Sequence, residues 1–370
     1  GYSRKFAAAI TAASSVIGPI IPPSGIMIIY AYVMGESVAA LFLAGIVPGI
    51  LVGLGLMLVV RLMADAYDLP KAERIVRANQ TIRPVEHWVS FVLLRMNFAG
   101  LLVLLFSLAN RLQAMVTSST LVLNSWIVFA VSVLVAHLLL MAIRPRVSDD
   151  FRIICKKAVA PLQTPIIILG GILLGVFTPT EASAIAVAYA LFIAFVVLRT
   201  LRVADLPAIF ARAAFASASV LLLVGAAVAF KTVVSLSHAP EQLTGFILGL
   251  TDRPLILLFL INVVLFIVGM FLDAGPAIII LGPILGPVFI DLGVHPVHFA
   301  IIMSVNLTVG LATPPMGLVL FVASSVSGEK IEAISRAILP FLAVEVLVIF
   351  LITYFPAISM TIPRLTGFVQ

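Results

Sequence analysis

Two short segments hold the residues best suited to gripping a small cation. Ser14, Ser15 and Ser24 cluster around Gly18-Pro19-Ile20-Ile21-Pro22-Pro23-Ser24-Gly25. Asn306, Thr308 and Thr313 cluster around Gly310-Leu311-Ala312-Thr313-Pro314-Pro315-Met316-Gly317. Hydroxyls, an amide oxygen and freed backbone carbonyls are hard oxygen ligands of the kind that suit Na+. Both segments read G-x3-P-P-x-G, at an offset of 292 residues. The paired prolines remove two amide donors and clash with the preceding turn. The glycines permit backbone angles that other residues resist. No α-helix runs unbroken through either segment. Freed carbonyls and half-helix dipoles at such breaks favour an ion. The candidate ion ligands are Asn306, Thr308, Gly310 and Thr313 in the second segment, and Ser14, Ser15 and Gly18 in the first. Pro22, Pro23, Ser24, Gly25, Pro314, Pro315 and Gly317 are the candidates for substrate contact. The hydroxyls also have a plainer reading, since Ser and Thr in helices donate back to carbonyls of the preceding turn.

Further chemistry comes from isolated polar residues. Asp273 ends the apolar arm that closes in Gly269-Met270-Phe271-Leu272-Asp273. A carboxylate at membrane depth is costly and points to function, so Gly269 and Asp273 join the ion candidates. The competing role for Asp273 is a cap that accepts amide hydrogens at the tip. Glu181 closes Thr178-Pro179-Thr180-Glu181 ahead of a helix expected from Ala182, the pattern of a capping box. Asp291, His295 and His298 resemble a metal set, but no fourth ligand is evident and His295 precedes Pro296 in a short loop. His87 and His137 read as isolated, with His137 placed to hydrogen-bond a neighbouring helix. No Ser/His/Asp nucleophile arrangement, GxGxxG, P-loop or HExxH is present.

These residues must be positioned by helices in a membrane. The chain is 62% hydrophobic and 10% charged, where soluble domains carry about 25% charged residues. The net charge of +6 resides in short loops between apolar runs, which marks topology rather than a nucleic-acid surface. The single cysteine, Cys155, excludes an intrachain disulfide and reads as a small buried or interfacial residue. The expected organisation runs as follows. Residues 1–37 form a broken helix, 38–87 a span with a basic segment carrying Arg61, Lys71, Arg74, Arg77 and Arg83. Residues 88–157 form two spans, separated by a loop with Arg111, and a basic loop with Arg144, Arg146, Arg152, Lys156 and Lys157. Residues 158–253 hold further spans, 254–327 a re-entrant hairpin and a second broken helix, and 328–370 the last span and a tail. Placing the basic segments 61–87, 144–157 and 199–212 on the cytoplasmic side satisfies the positive-inside rule. The two broken helices then run antiparallel, as in an inverted-topology repeat of a secondary transporter. The repeat puts the counterpart of the 254–290 hairpin before residue 1, so a first hairpin is expected outside this chain.

The segments around Ser14 to Ser24, Gly170-Gly171 through Ala182, Gly269 to Asp273, and Asn306 to Gly317 strongly resemble the large membrane subunit of TRAP (tripartite ATP-independent periplasmic) transporters. The resemblance runs from residue 1 to about residue 360. It implies an all-α integral protein of the bacterial inner membrane that imports organic acids by Na+ symport. It also implies a small membrane subunit and a periplasmic binding protein as partners. The implied mechanism is an elevator, with hairpins and broken helices moving together against a scaffold. Residues 88–143 depart from the pattern by supplying two extra spans. The alternatives are a stand-alone divalent-anion/Na+ symporter and a membrane-embedded metalloenzyme using Asp291, His295 and His298.

Overall fold

The computed structural model describes residues 2–65, 82–117, 124–237, 245 and 254–369. Among them the chain is helical, with no strand. Eight of the described helices are long and apolar enough to cross a membrane. Lys71, Arg74 and Arg77 lie outside the described residues. Two compact units divide the chain: residues 1–72 with 209–370, and residues 73–208.

The first unit opens with α1 (Arg4–Ser15), α2 (Ile17–Ile20) and α3 (Gly25–Met34), followed by α4 (Val38–Met63). The pair Arg4–Ile20 and Gly25–Met34 is bent by 41° at the break. The break follows from covalent structure. Prolines at 19, 22 and 23 deprive the carbonyls of Ser15, Gly18 and Pro19 of their helical donors. The α3 C-terminus ends at Gly35 with φ 77°, the left-handed conformation that glycine adopts freely.

Sequence order resumes in the second unit with α5 (Pro84–Thr117), α6 (Ser125–Ile143), α7 (Asp149–Leu173) and α8 (Pro179–Phe192). Helix α9 (Leu206–Leu236) leads back to the first unit, which continues with α10 (Pro254–Phe271), α11 (Ala274–Asp291), α12 (Pro296–Gly310), α13 (Leu318–Ser327), α14 (Ile331–Tyr354) and α15 (Ala357–Thr366). Helix α12 is buried along its whole length from Val297 to Gly310. A helix that is apolar all round belongs at the centre of its fold, and α12 packs against α2, α3, α4, α10, α11 and α14. Phe289 stacks on Phe299 at 5.0 Å between ring centres, which ties α11 to α12.

The 292-residue offset recurs in helix boundaries. Adding it to Arg4, Gly25 and Val38 gives 296, 317 and 330, and α12, α13 and α14 begin at Pro296, Leu318 and Ile331. Helix α1 packs against α13, while α2 and α3 pack against α12. The Pro22-Pro23 and Pro314-Pro315 bonds are both cis.

In the second unit, Ala160, Ile193 and Val197 form a small core against Val89, Leu93 and Tyr189. The Tyr189 hydroxyl donates to the Ala160 carbonyl at 2.8 Å, and Ser90 Oγ to the Lys156 carbonyl.

Several sequence expectations need correction. Helix α5 continues through Arg111, where a loop was expected, because nothing in Ala109-Asn110-Arg111-Leu112 breaks a helix. Arg152, Lys156 and Lys157 lie on α7 rather than in a loop, since Asp149 and Asp150 favour a helix start there. The helix ahead of Glu181 begins at Pro179, not Ala182. Thr178 caps it, and the capping box with Glu181 is formed on both sides. The C-terminal tail contains helix α15, which packs against α4.

Candidate functional site

The two breaks differ in how they satisfy their carbonyls. In the first, Ser24 Oγ donates to the orphaned Pro19 carbonyl and accepts from Met27 N at 3.3 Å, so one side chain closes the break and caps α3. In the second, Pro314 and Pro315 remove the helical donors of Gly310 and Leu311. Their carbonyls are met instead by Thr313 N at 2.9 Å and Val319 N at 3.0 Å. Each oxygen retains a lone pair for a further partner.

The hydroxyl candidates all donate backwards. Ser14 donates to Thr11 O at 3.2 Å, Ser15 to Ala12 O at 2.7 Å, Thr308 to Ser304 O at 2.6 Å and Thr313 to Val309 O at 2.9 Å. Donation spends the hydrogen but not the lone pairs, so the oxygens still accept a cation. Ser14 and Ser15 are exposed, whereas Thr308 and Thr313 are buried.

Asn306 stands apart. It is 1% exposed. Its amide nitrogen donates to Asn262 Oδ1 at 2.7 Å and to Ile302 O at 2.8 Å. Its Oδ1 is buried with no donor, as is Ser304 Oγ two residues earlier on the same helix. An orphaned buried acceptor costs about 1–3 kcal/mol, and a cation would satisfy it.

Glycines set the approach of the elements around it. A Cβ on Gly310 would lie 2.6 Å from the Gly269 backbone, and one on Gly269 would lie 2.7 Å from Leu307 O. Helices α10 and α12 therefore meet backbone to backbone, which brings two of the expected ion-site glycines together. Asp273 lies one turn beyond Gly269, exposed at the N-cap of α11. Its side chain makes no capping hydrogen bond.

The expected substrate contacts divide in two. Gly25 faces open space, as does Gly18 among the expected ion ligands. Gly317 instead packs on its own loop, where a Cβ would meet Leu311 O at 2.4 Å and Thr313 N at 2.8 Å. Pro315 is exposed, while Pro22 and Ser24 are buried and Pro23 and Pro314 half-buried.

The candidate metal set does not assemble. His298 is buried, with Nδ1 2.7 Å from Ser359 Oγ and Nε2 3.3 Å from the Thr353 carbonyl. His295 Nδ1 accepts from Val297 N at 3.2 Å as a helix cap. Among the described residues no group of three His, Cys, Asp or Glu side chains is placed to hold a metal. His87 and His137 are not isolated: Lys156 Nζ lies 3.0 Å from His87 Nδ1, and Arg95 Nε donates to His137 Nδ1 at 2.9 Å.

Sequence reading missed three features. Asn262 accepts from both Asn306 and Thr353, the latter at 3.1 Å, and so joins α10, α12 and α14. Glu345 is fully buried on α14, with both carboxylate oxygens unpartnered. Tyr30 on α3 is buried with an unpartnered hydroxyl. Asn262 and Glu345 each interrupt an apolar run, the signal that singled out Asp273.

Residues 1–358 match the family model for the tripartite ATP-independent periplasmic transporter, DctM component. The chain is 31% identical over 367 residues to the C4-dicarboxylate TRAP transporter large permease protein of Pseudomonas aeruginosa, covering 99% of this chain and 69% of that protein. It is 31% identical over 367 residues to the sialic acid TRAP transporter large permease protein of Vibrio cholerae, covering 98% and 69%. It is 35% identical over 360 residues to the isethionate TRAP transporter permease protein of Oleidesulfovibrio alaskensis, covering 97% and 46%. Together with the eight apolar helices among the described residues, this match places the chain in the DctM family: it is a multi-pass large permease component of a TRAP transporter and not an enzyme.

Proposed function

We propose that this permease imports an organic acid across the bacterial inner membrane by Na+ symport, supplied by a periplasmic binding protein and partnered by a small membrane subunit. The observation that carries the reading is the partnerless Oδ1 of Asn306. It lies in the helix that ends at the second break, one turn before the Gly269–Gly310 contact. Na+ there would be cargo, taking Asn306 Oδ1 with hydroxyl and carbonyl oxygens from Thr308, Thr313 and Gly310. Asp273, Ser14, Ser15 and Gly18 are further ligands in this reading. The recurring helix boundaries and the pairing of α1 with α13 and of α2–α3 with α12 support an inverted-topology repeat. An elevator movement of α1–α3 with α10–α13, the hairpin being α10 and α11, is the corresponding mechanism. The relatives named above act on C4-dicarboxylates, sialic acid and isethionate by their names, which favours a small organic anion here. Gly25, in open space at the N-terminus of α3, is the place for its charged group.

The test is uptake by the reconstituted transporter with its small subunit and binding protein. Uptake should require Na+ and proceed without ATP. Undiminished uptake in Na+-free vesicles would overturn Na+ coupling. Uptake without the binding protein would favour a stand-alone symporter.

A further inference from the structure

We propose that the second unit holds a specific site for an anionic phospholipid. The start of α5, the end of α6 and the start of α7 meet around a cavity of about 490 Å³. Four cations line it: Arg95, Arg144, Arg152 and Lys156. Asp149 is the one carboxylate in the lining, and it already pairs with Arg152 in the one ion pair among the described residues. The remaining partners are neutral. Lys156 Nζ faces His87 Nδ1 at 3.0 Å. Arg95 donates to His137 Nδ1 at 2.9 Å and to the Phe91 carbonyl at 2.8 Å, and its guanidinium carbon lies 3.2 Å from the centre of the Phe91 ring. These contacts orient the guanidinium without neutralising it, and they use two of its five N–H donors. Arg144, Arg152 and Lys156 stand near the ends of helices long enough to span the bilayer, and Arg95 lies further along one of them, where uncompensated charge is costly.

Most of the rest of the wall is apolar and includes Leu94, Phe98, Leu140 and Ile143. Oriented cations joined to an apolar wall fit one phosphate headgroup and the upper part of its acyl chains. A free inorganic anion would leave the apolar wall unused. Basic pockets between spanning helices are a recognised geometry for such headgroups. The lipid would hold α5 and α6 to α7, since its phosphate would bridge residues of all three helices.

The test uses the purified transporter in nanodiscs of phosphatidylcholine, with or without phosphatidylglycerol, read by native mass spectrometry and thermal unfolding. Phosphatidylglycerol should be retained in preference to phosphatidylcholine and should raise the unfolding midpoint. The preference should fall about fivefold for each of Arg144→Gln and Lys156→Gln. It should survive Arg212→Gln, which removes a cation outside the cavity. Arg95→Gln would also break the bond to His137 and could unfold the protein, so Arg144→Gln and Lys156→Gln decide the matter. Equal retention of both lipids by the unmodified protein would overturn the proposal. So would an unchanged preference in folded Arg144→Gln and Lys156→Gln. Equal stabilisation by inorganic phosphate in pure phosphatidylcholine nanodiscs would assign the cations to a soluble anion instead.

Discussion

At the scale of single residues, the deciding contrast is between atoms with partners and atoms without. Asn306 Oδ1 lacks one, whereas the Thr313 hydroxyl hydrogen is spent on Val309 O. Asn306→Ala should therefore weaken Na+ dependence most, by roughly 5- to 150-fold in the half-saturating concentration, the range of one lost buried polar contact. Thr313→Val keeps the shape and deletes a lone-pair donor, so it should act in the same direction if the threonine coordinates. Uptake at graded Na+ reads both. Unchanged Na+ dependence in both variants would move the site elsewhere and leave the break as a packing feature. Ser24→Ala tests a different role. It removes the cap on Met27 N and the donor to Pro19 O together. A loss of about 1–2 kcal/mol in unfolding stability is expected, visible as a lower melting temperature.

At the scale of elements, glycine spacing sets helix approach. Gly269→Ala and Gly310→Ala each drive a methyl into opposing backbone, which cannot rotate aside. Both should destabilise by about 1–3 kcal/mol, and they should not add when combined, because each forces apart the same pair of helices. Gly18→Ala and Gly25→Ala meet open space and should leave the melting temperature nearly unchanged, within about 0.5 kcal/mol. Transport loss in Gly25→Ala with full stability would mark that open space as substrate-facing. Pro19, Pro22 and Pro23 made the first break readable in sequence because a missing N–H is covalent. The continuation of α5 through Arg111 was not readable, since a single arginine between apolar runs reads equally as a loop or as a helix.

At the scale of the whole molecule, charge placement makes a testable map. Cysteines introduced at Ser148 and Glu329 should react with an impermeant reagent from the cytoplasmic side, and one at Glu36 from the periplasmic side, in a Cys155→Ser background. Reaction of all three from one side would overturn the layout. The amount of the molecule legible beforehand followed the range of the forces involved. Membrane class, helix order and the 292-residue repeat of breaks follow from composition and from residues within a turn of each other.

Features written in covalent chemistry or in local pattern are legible from the chain alone. Proline cannot donate, an apolar run of about 20 residues spans a bilayer, and Thr178 with Glu181 closes a capping box across three residues. Tertiary structure alone decided which of the polar candidates has an unmet need. Asn306 meets Asn262 across 44 positions, Lys156 meets His87 across 69, and Arg95 meets His137 across 42. Asn306 and Thr308 look alike as polar interruptions of one helix, yet the first keeps a bare oxygen and the second returns its hydrogen to Ser304. Glu345 shows in sequence only as a charge within an apolar run, and its full burial on α14 is a matter of packing. Each outcome depends on which helix faces which, and side-chain packing between distant segments sets that.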